Sequence, residues 1–246
     1  MSDSVLALGV RWHEQGKRKV IWLGTGFVMQ QPRQGVTAGH VLKAMVEQSN
    51  NLQHRELAPV MVAKTADGQI GELGRPQVHP AILDRSETAK KPAPSDVAVF
   101  KIESQLQASG LPLADQVPAV GRAVAVGGFP RGLSTIDYGI KPGKGKPIRP
   151  TIKFGSIERH MPIVNSREKR QAVLQHGLAL GSGFSGSPMV NREGEVVGLV
   201  TTSTHVHAEE MVRTEAAQPS GRWLNPADVN FAVPATRVRA WLNDGG

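Results

Sequence analysis

The sequence predicts an all-β protein of two β-barrels or sandwiches followed by a C-terminal helix. Three observations predict it: many short β-like runs punctuated by turns, one break near the middle, and a last segment with helical spacing. In the first half, "VIWLGTGFVM" (20–29), "LAPVMVA" (57–63) and "SDVAVFKI" (95–102) read as strands, and "GHVLKAMVEQ" (39–48) as a short helical turn after one. In the second half, "GRAVAVGGF" (121–129), "TIKFGSIERH" (151–160), "KRQAVLQHGL" (169–178), "GEVVGLVTTS" (194–203) and "VNFAV" (229–233) read as strands. "PATRVRAWL" (234–242) starts on proline and spaces Val238, Trp241 and Leu242 helically, which predicts the final helix. Between the halves, "ESQLQASGLPLADQVPAVG" (103–121) reads as a linker, with units 1–112 and 113–246 on either side. "ETAKKPAPS" (87–95) and the Pro/Gly-rich 141–150 read as exposed loops, and no internal repeat is visible.

Composition narrows the chemistry. A chain of 246 residues can bury a real core, and one Tyr and six Phe make that core mostly aliphatic. The absence of cysteine excludes a disulfide, a thiolate nucleophile and a cysteine metal site. "MSDSVLALGVRWHEQGKRKV" has only a short apolar run before a basic stretch, which does not fit a secretory signal. No apolar run approaches the roughly 20 residues of a membrane helix, so the reading is a soluble, cytoplasmic protein. The net charge of +8 concentrates at 16–19, 138–149 and 165–170. None of these runs interleaves the aromatics that single-strand binders stack on bases, so they read as a generic basic surface and nucleic acid is not an expected partner.

The chemistry-bearing residues fall in three frames. "GSGFSGSPMV" (181–190) bunches small residues around Phe184 before Pro188, as a sharply turning backbone or a close approach requires. An activated serine there needs a base, a group behind that base, and donors for an oxyanion. Of His13, His40, His54, His79, His160, His176, His205 and His207, only His40 has a distinctive local frame, "TAGHVL". Among the carboxylates Asp96 stands out, because it places a charge at the head of an otherwise apolar strand. Burying it needs a partner such as a ring N–H.

Together these frames resemble the chymotrypsin-like serine proteases, most closely the HtrA/Deg branch and its trypsin-like bacterial relatives. "GTGFV" (24–28), "TAGHVL" (37–42), "SDVAVFKI" (95–102), "GSGFSGSPMVNREGEVVGLVTT" (181–202) and "VNFAVPATRV" (229–238) follow the family's order. His40, Asp96 and Ser185 are separated by 56 and 89 residues. The resemblance implies two six-stranded antiparallel β-barrels, the first carrying His40 and Asp96 and the second Ser185. It implies a serine endopeptidase with Ser185 as nucleophile, His40 as general base and acid, and Asp96 fixing the imidazole tautomer. The N–H groups of Gly183 and Ser185 would form the oxyanion hole. Ala179, Leu180, Thr201, Ser203 and Asn230 would line the pocket for the side chain before the scissile bond. None is acidic, so a small or medium apolar side chain is the expected guest.

Departures from the family pattern carry their own expectations. Phe184 stands where many secreted relatives have an Asp that pairs with a new N-terminus, so a zymogen switch of that kind is not expected. Ser187 replaces a glycine, a small-for-small change. The sequence ends soon after its last helix, without the peptide-binding domain of HtrA proteins. The long segment 204–228 reads as a regulatory or substrate-facing loop, with His205 and His207 solvent-exposed rather than metal-bound. No metal or cofactor is expected, and the partners expected are a protein or peptide substrate and, through that loop, a regulatory protein. Two alternatives stay open at this point: a protease fold used only as a binding or regulatory module, with nucleic acid on its basic loops as one candidate partner, and an esterase-like hydrolase with the same acyl-transfer machinery.

Overall fold

The computed structural model describes residues 1–30, 34–52, 57–73, 77–78, 96–101, 106, 108–130, 148–162, 172–205 and 228–243. The N-terminal half comprises β1 (Val5–Glu14), β2 (Lys17–Val28), β3 (Gln34–Thr37), α1 (Gly39–Asn51), β4 (Leu57–Lys64), β5 (Ile70–Glu72), β6 (Gln77–Val78) and β7 (Ala98–Lys101). Its strands form one antiparallel, half-barrel sheet of seven, in the order β5-β4-β1-β2-β3-β7-β6. The β1–β2 hairpin turns on Gln15 and Gly16, both at positive φ (51° and 66°), which matches the turn geometry that two-residue hairpins favour. β1 was not read from the sequence as a strand, and its burial explains why. Val5 to Val10 is a continuous buried run, paired on both sides from Ala7 onward, so it lacks the apolar–polar alternation that marks a half-exposed strand.

The C-terminal half comprises β8 (Ala123–Gly128), β9 (Thr151–Pro162), β10 (Ala172–His176), β11 (Pro188–Val190), β12 (Val196–His205), β13 (Asp228–Pro234) and α2 (Ala235–Asn243). Its six strands close into a barrel in the order β10-β13-β12-β11-β8-β9, with the last strand inserted between β10 and β12. The predicted terminal helix is α2. This is the chymotrypsin-like architecture that the resemblance implied.

Each half has its own core. Leu6, Leu8, Leu42, Met45 and Phe100 pack the first, and Val126, Ile157, Leu174, Phe184 and Met189 the second. A third core joins the halves: Phe27, Val36 and Val99 meet Val196, Leu199, Val233 and Val238. The connecting segment is packed at Leu106, Leu111 and Ala114 and exposed over 115–117 and 119–121. Leu111 bridges to Met29 of the first half and Leu113 to Val196 of the second, on either side of Pro112. One expectation is corrected here: Ile148, in the stretch read as an exposed loop, is buried and donates its N–H to the Ala66 carbonyl. Basic residues 138–147 and 165–170, and the loop 87–95, lie outside the described residues.

Candidate active site

Strand pairing brings His40 and Asp96 together. β3 pairs with β7 so that Thr37 lies opposite Ala98. His40 is three residues after Thr37, in the first turn of α1, and Asp96 is two residues before Ala98. Helix α1 has no side-chain cap from Ala38, so its first N–H groups need acceptors from elsewhere. Asp96 supplies one: its Oδ1 accepts the His40 backbone N–H at 2.9 Å, while its Oδ2 sits 2.7 Å from the His40 Nδ1. Both carboxylate oxygens are thus engaged by the same residue. An ionised carboxylate only accepts, so Nδ1 carries the proton and Nε2 presents its lone pair. Asp96 is only 3% exposed, whereas the His40 side chain is 45% exposed and faces the surface.

The Ser185 loop is built from glycines at positive φ, Gly183 at 102° and Gly186 at 86°. A Cβ on Gly186 would lie 2.0 Å from the Thr25 carbonyl oxygen and 2.2 Å from the Thr37 hydroxyl, so only glycine passes there. Phe184 is buried in the barrel core. The position that holds an ion-pairing Asp in many secreted relatives is therefore an apolar anchor. Among the described residues, neither the Gly183 N–H nor the Ser185 N–H is taken by a protein acceptor. The Ser185 hydroxyl donates to the Thr201 carbonyl at 2.9 Å.

Thr25 is a residue that the sequence reading missed. Fully buried in β2, it donates its hydroxyl to the Gly183 carbonyl (2.8 Å) and accepts the Phe129 N–H (2.9 Å). Its own N–H donates to the Ser185 carbonyl (3.0 Å), and its carbonyl accepts the Thr37 hydroxyl (2.7 Å). One side chain and its peptide groups so tie the Ser185 loop to the half that carries His40 and Asp96. The available signal was the glycine on either side: a Cβ on Gly24 would meet Val41 at 2.7 Å and the Ser185 carbonyl at 3.2 Å.

The five expected pocket residues divide. Thr201, Ser203 and Asn230 lie on the adjoining strands β12 and β13, Ser203 opposite Asn230. Asn230 donates from Nδ2 to the Leu178 carbonyl at 2.7 Å. Ala179 is exposed, while Leu180 packs into the barrel core beside Phe184. His176, the final residue of β10, is fully buried, and neither ring nitrogen has a hydrogen-bond partner. Burial pushes its pKa down to about 4, opposed by the nearby Phe231 carbonyl, which favours the protonated ring without reaching hydrogen-bond geometry. A buried polar group without a partner costs about 1–3 kcal/mol. Among the other histidines, His160 hydrogen-bonds the Pro118 carbonyl at 2.7 Å on the surface. His54, His79 and His207 lie outside the described residues. No group of three or more His, Asp or Glu is placed to hold a metal among the described residues. No described helix is long and apolar enough to cross a membrane.

The model of the trypsin-like peptidase domain family matches residues 24–199, most of the chain and all three candidate residues. The chain belongs to that family. It is a trypsin-like serine endopeptidase, a class that acts on protein or peptide substrates. Searched by sequence, curated proteins give no significant match. By structure, this trypsin-like peptidase is similar to Rv3671c from M. tuberculosis H37Rv in two inactive forms. The Rv3671c protease is 19% identical at a TM-score of 0.55, covering 100% of this chain and 90% of that one. A serine-to-alanine mutant of the same protein is 18% identical at a TM-score of 0.54, covering 99% and 86%. At that identity the likeness carries the peptidase fold.

Proposed function

We propose that this peptidase cleaves peptide bonds through an acyl-enzyme formed on Ser185, with His40 as general base and acid and Asp96 as its orienter. The observation that carries the reading is the double engagement of Asp96 by His40, which fixes both the ring and its tautomer. With Nδ1–H held by the carboxylate, Nε2 is the atom that takes the Ser185 proton. The hydroxyl must first swing from the Thr201 carbonyl towards Nε2. Attack on the scissile carbonyl then places negative charge on its oxygen, and the N–H groups of Gly183 and Ser185 are the donors that receive it. His40 returns the proton to the leaving amine, and a water activated by the same Nε2 releases the acyl group.

A fluorophosphonate probe tests the assignment, because it labels a serine only where that serine is activated. Wild type should be labelled on Ser185 and the Ser185→Ala variant should not. Labelling elsewhere, or none in an active preparation, would remove Ser185 from the mechanism. A binding module built on this fold would bind its partner equally well after Ser185→Ala and label in neither form.

A further inference from the structure

His176 and Asn230 are register partners on β10 and β13, so their side chains share a face of the sheet. Leu174, two residues earlier on the same face, lies in the barrel core, which makes that face the interior. The imidazole is therefore a polar ring sealed inside the barrel, with both nitrogens unpartnered. A leucine would fill similar space without stranding two polar atoms, so packing does not account for a histidine here. Its position in the barrel does. The chain runs on from His176 through Gly177–Leu180, and Thr201, whose carbonyl holds the Ser185 hydroxyl, precedes Ser203, the other register partner of Asn230. His176 thus neighbours Asn230, whose amide holds the Leu178 carbonyl in the segment that leads on to Ser185. That region is shut at rest: Leu180, Thr201 and Asn230 are at most 3% exposed, and the Asn230 amide is tied to the Leu178 carbonyl.

We propose that His176 is the polar floor of the specificity pocket, and that the pocket opens to take a carboxamide side chain, glutamine or asparagine, before the scissile bond. This rests on the assignment of Ser185 as nucleophile. The ring is neutral, with one N–H donor and one lone pair. Neither nitrogen has a partner, so the lone-pair nitrogen is an acceptor that no donor among the described residues reaches. A side-chain amide supplies the N–H that this nitrogen lacks. A carboxylate has no hydrogen to give and would enter as an unpaired charge. An ammonium would enter without a counter-charge, since Leu180, Thr201, Asn230 and Ile157 are all uncharged. An aliphatic chain leaves the nitrogens stranded as they are in the closed pocket. The carboxamide thus replaces the small apolar guest expected from the pocket walls alone.

The test compares kcat/KM for peptides differing only before the scissile bond (Gln, Glu, Leu or Lys) in wild type and His176→Leu, with fluorophosphonate labelling of Ser185 measured in both. Wild type should prefer Gln over Leu by about 10-fold, the scale of one buried hydrogen bond. His176→Leu should erase that preference while Ser185 is still labelled. A wild-type preference for Leu, Glu or Lys overturns the proposal, as does a Gln preference that survives the substitution. Should His176→Leu not fold, the ring-nitrogen NMR shifts of His176 in Ser185→Ala should move on adding a product peptide ending in Gln and stay put with one ending in Leu. Unmoved shifts with the Gln peptide overturn it. Absence of labelling in wild type removes the nucleophile assignment and this inference together, whereas labelling without a His176-dependent preference removes this inference alone.

Discussion

The Thr25 hydroxyl donates to the Gly183 carbonyl across 2.8 Å, from the N-terminal sheet to the loop ahead of Ser185. Thr25→Val keeps the shape, removes that bond and leaves the Gly183 carbonyl and the Phe129 N–H unpaired inside the protein. A loss of about 2–4 kcal/mol of stability is expected, together with roughly a tenfold or larger drop in kcat. Thr25→Ser should restore most of both. Urea midpoints and turnover on one peptide substrate measure the two effects, and a Val variant as active as wild type would show that the loop is held by other means.

Ser185→Ala and His40→Ala should each lower turnover by roughly 10⁴-fold, and the double variant should be scarcely worse, because the residues act as a unit. Asp96 separates two roles. Asp96→Asn retains an oxygen for the start of α1 but turns an N–H₂ toward the ring, favouring the wrong tautomer, so activity should collapse with stability nearly kept. Asp96→Ala should lose the activity and also about 1 kcal/mol of stability from the uncapped helix. Thermal unfolding beside single-turnover kinetics distinguishes them, and equal stability losses in the two variants would count against the capping role.

Two glycines at nearly the same φ give a control. Gly194, at 83°, has nothing near its missing Cβ, so Gly194→Ala should cost only the backbone strain, about 1 kcal/mol. Gly186, at 86°, faces the Thr25 and Thr37 oxygens at 2.0 and 2.2 Å, so Gly186→Ala must push the two halves apart or displace the Ser185 loop. Its loss should be several times larger, with labelling of Ser185 abolished. Similar denaturation midpoints for the two variants would contradict this.

His176 links stability to pH. Its pKa falls from 6.5 to about 4 on folding, so between those values the unfolded chain binds a proton that the native protein refuses. Stability contributed by the neutral ring is fully present above pH 6.5 and is lost as pH drops towards 4, amounting to about 3 kcal/mol. Urea titrations at pH 7 and pH 4.5 should show a steeper fall for wild type than for His176→Leu. Parallel falls would mean that the ring protonates as easily in the folded state.

Motif residues were legible in the sequence because their chemistry ties side-chain type to backbone shape. "TAGHVL", "SDVAVFKI" and the glycine-serine loop each join an unusual residue to the turn or strand start that aims it. What escaped was set by pairing between distant segments. Thr25 is an ordinary strand threonine until β2 meets the Ser185 loop, and only its flanking glycines hinted at a close approach. His176 was one histidine among eight, since nothing before β13 arrives tells its surroundings. Leu180 was expected at a pocket wall by its place in the loop, yet its side chain turns into the core that Phe184 also fills.

β13 follows every other described strand in the chain, yet it sits between β10 and β12, and Val238 of the helix after it enters the core shared by both halves. A growing polypeptide therefore holds His40, Asp96 and Ser185 long before it holds the strand that closes the second barrel. Until that strand leaves the ribosome, Thr201 and His176 each lack their neighbour and the Ser185 loop has no closed wall behind it. The order of synthesis thus puts the closing of the second barrel after all three candidate site residues have been made.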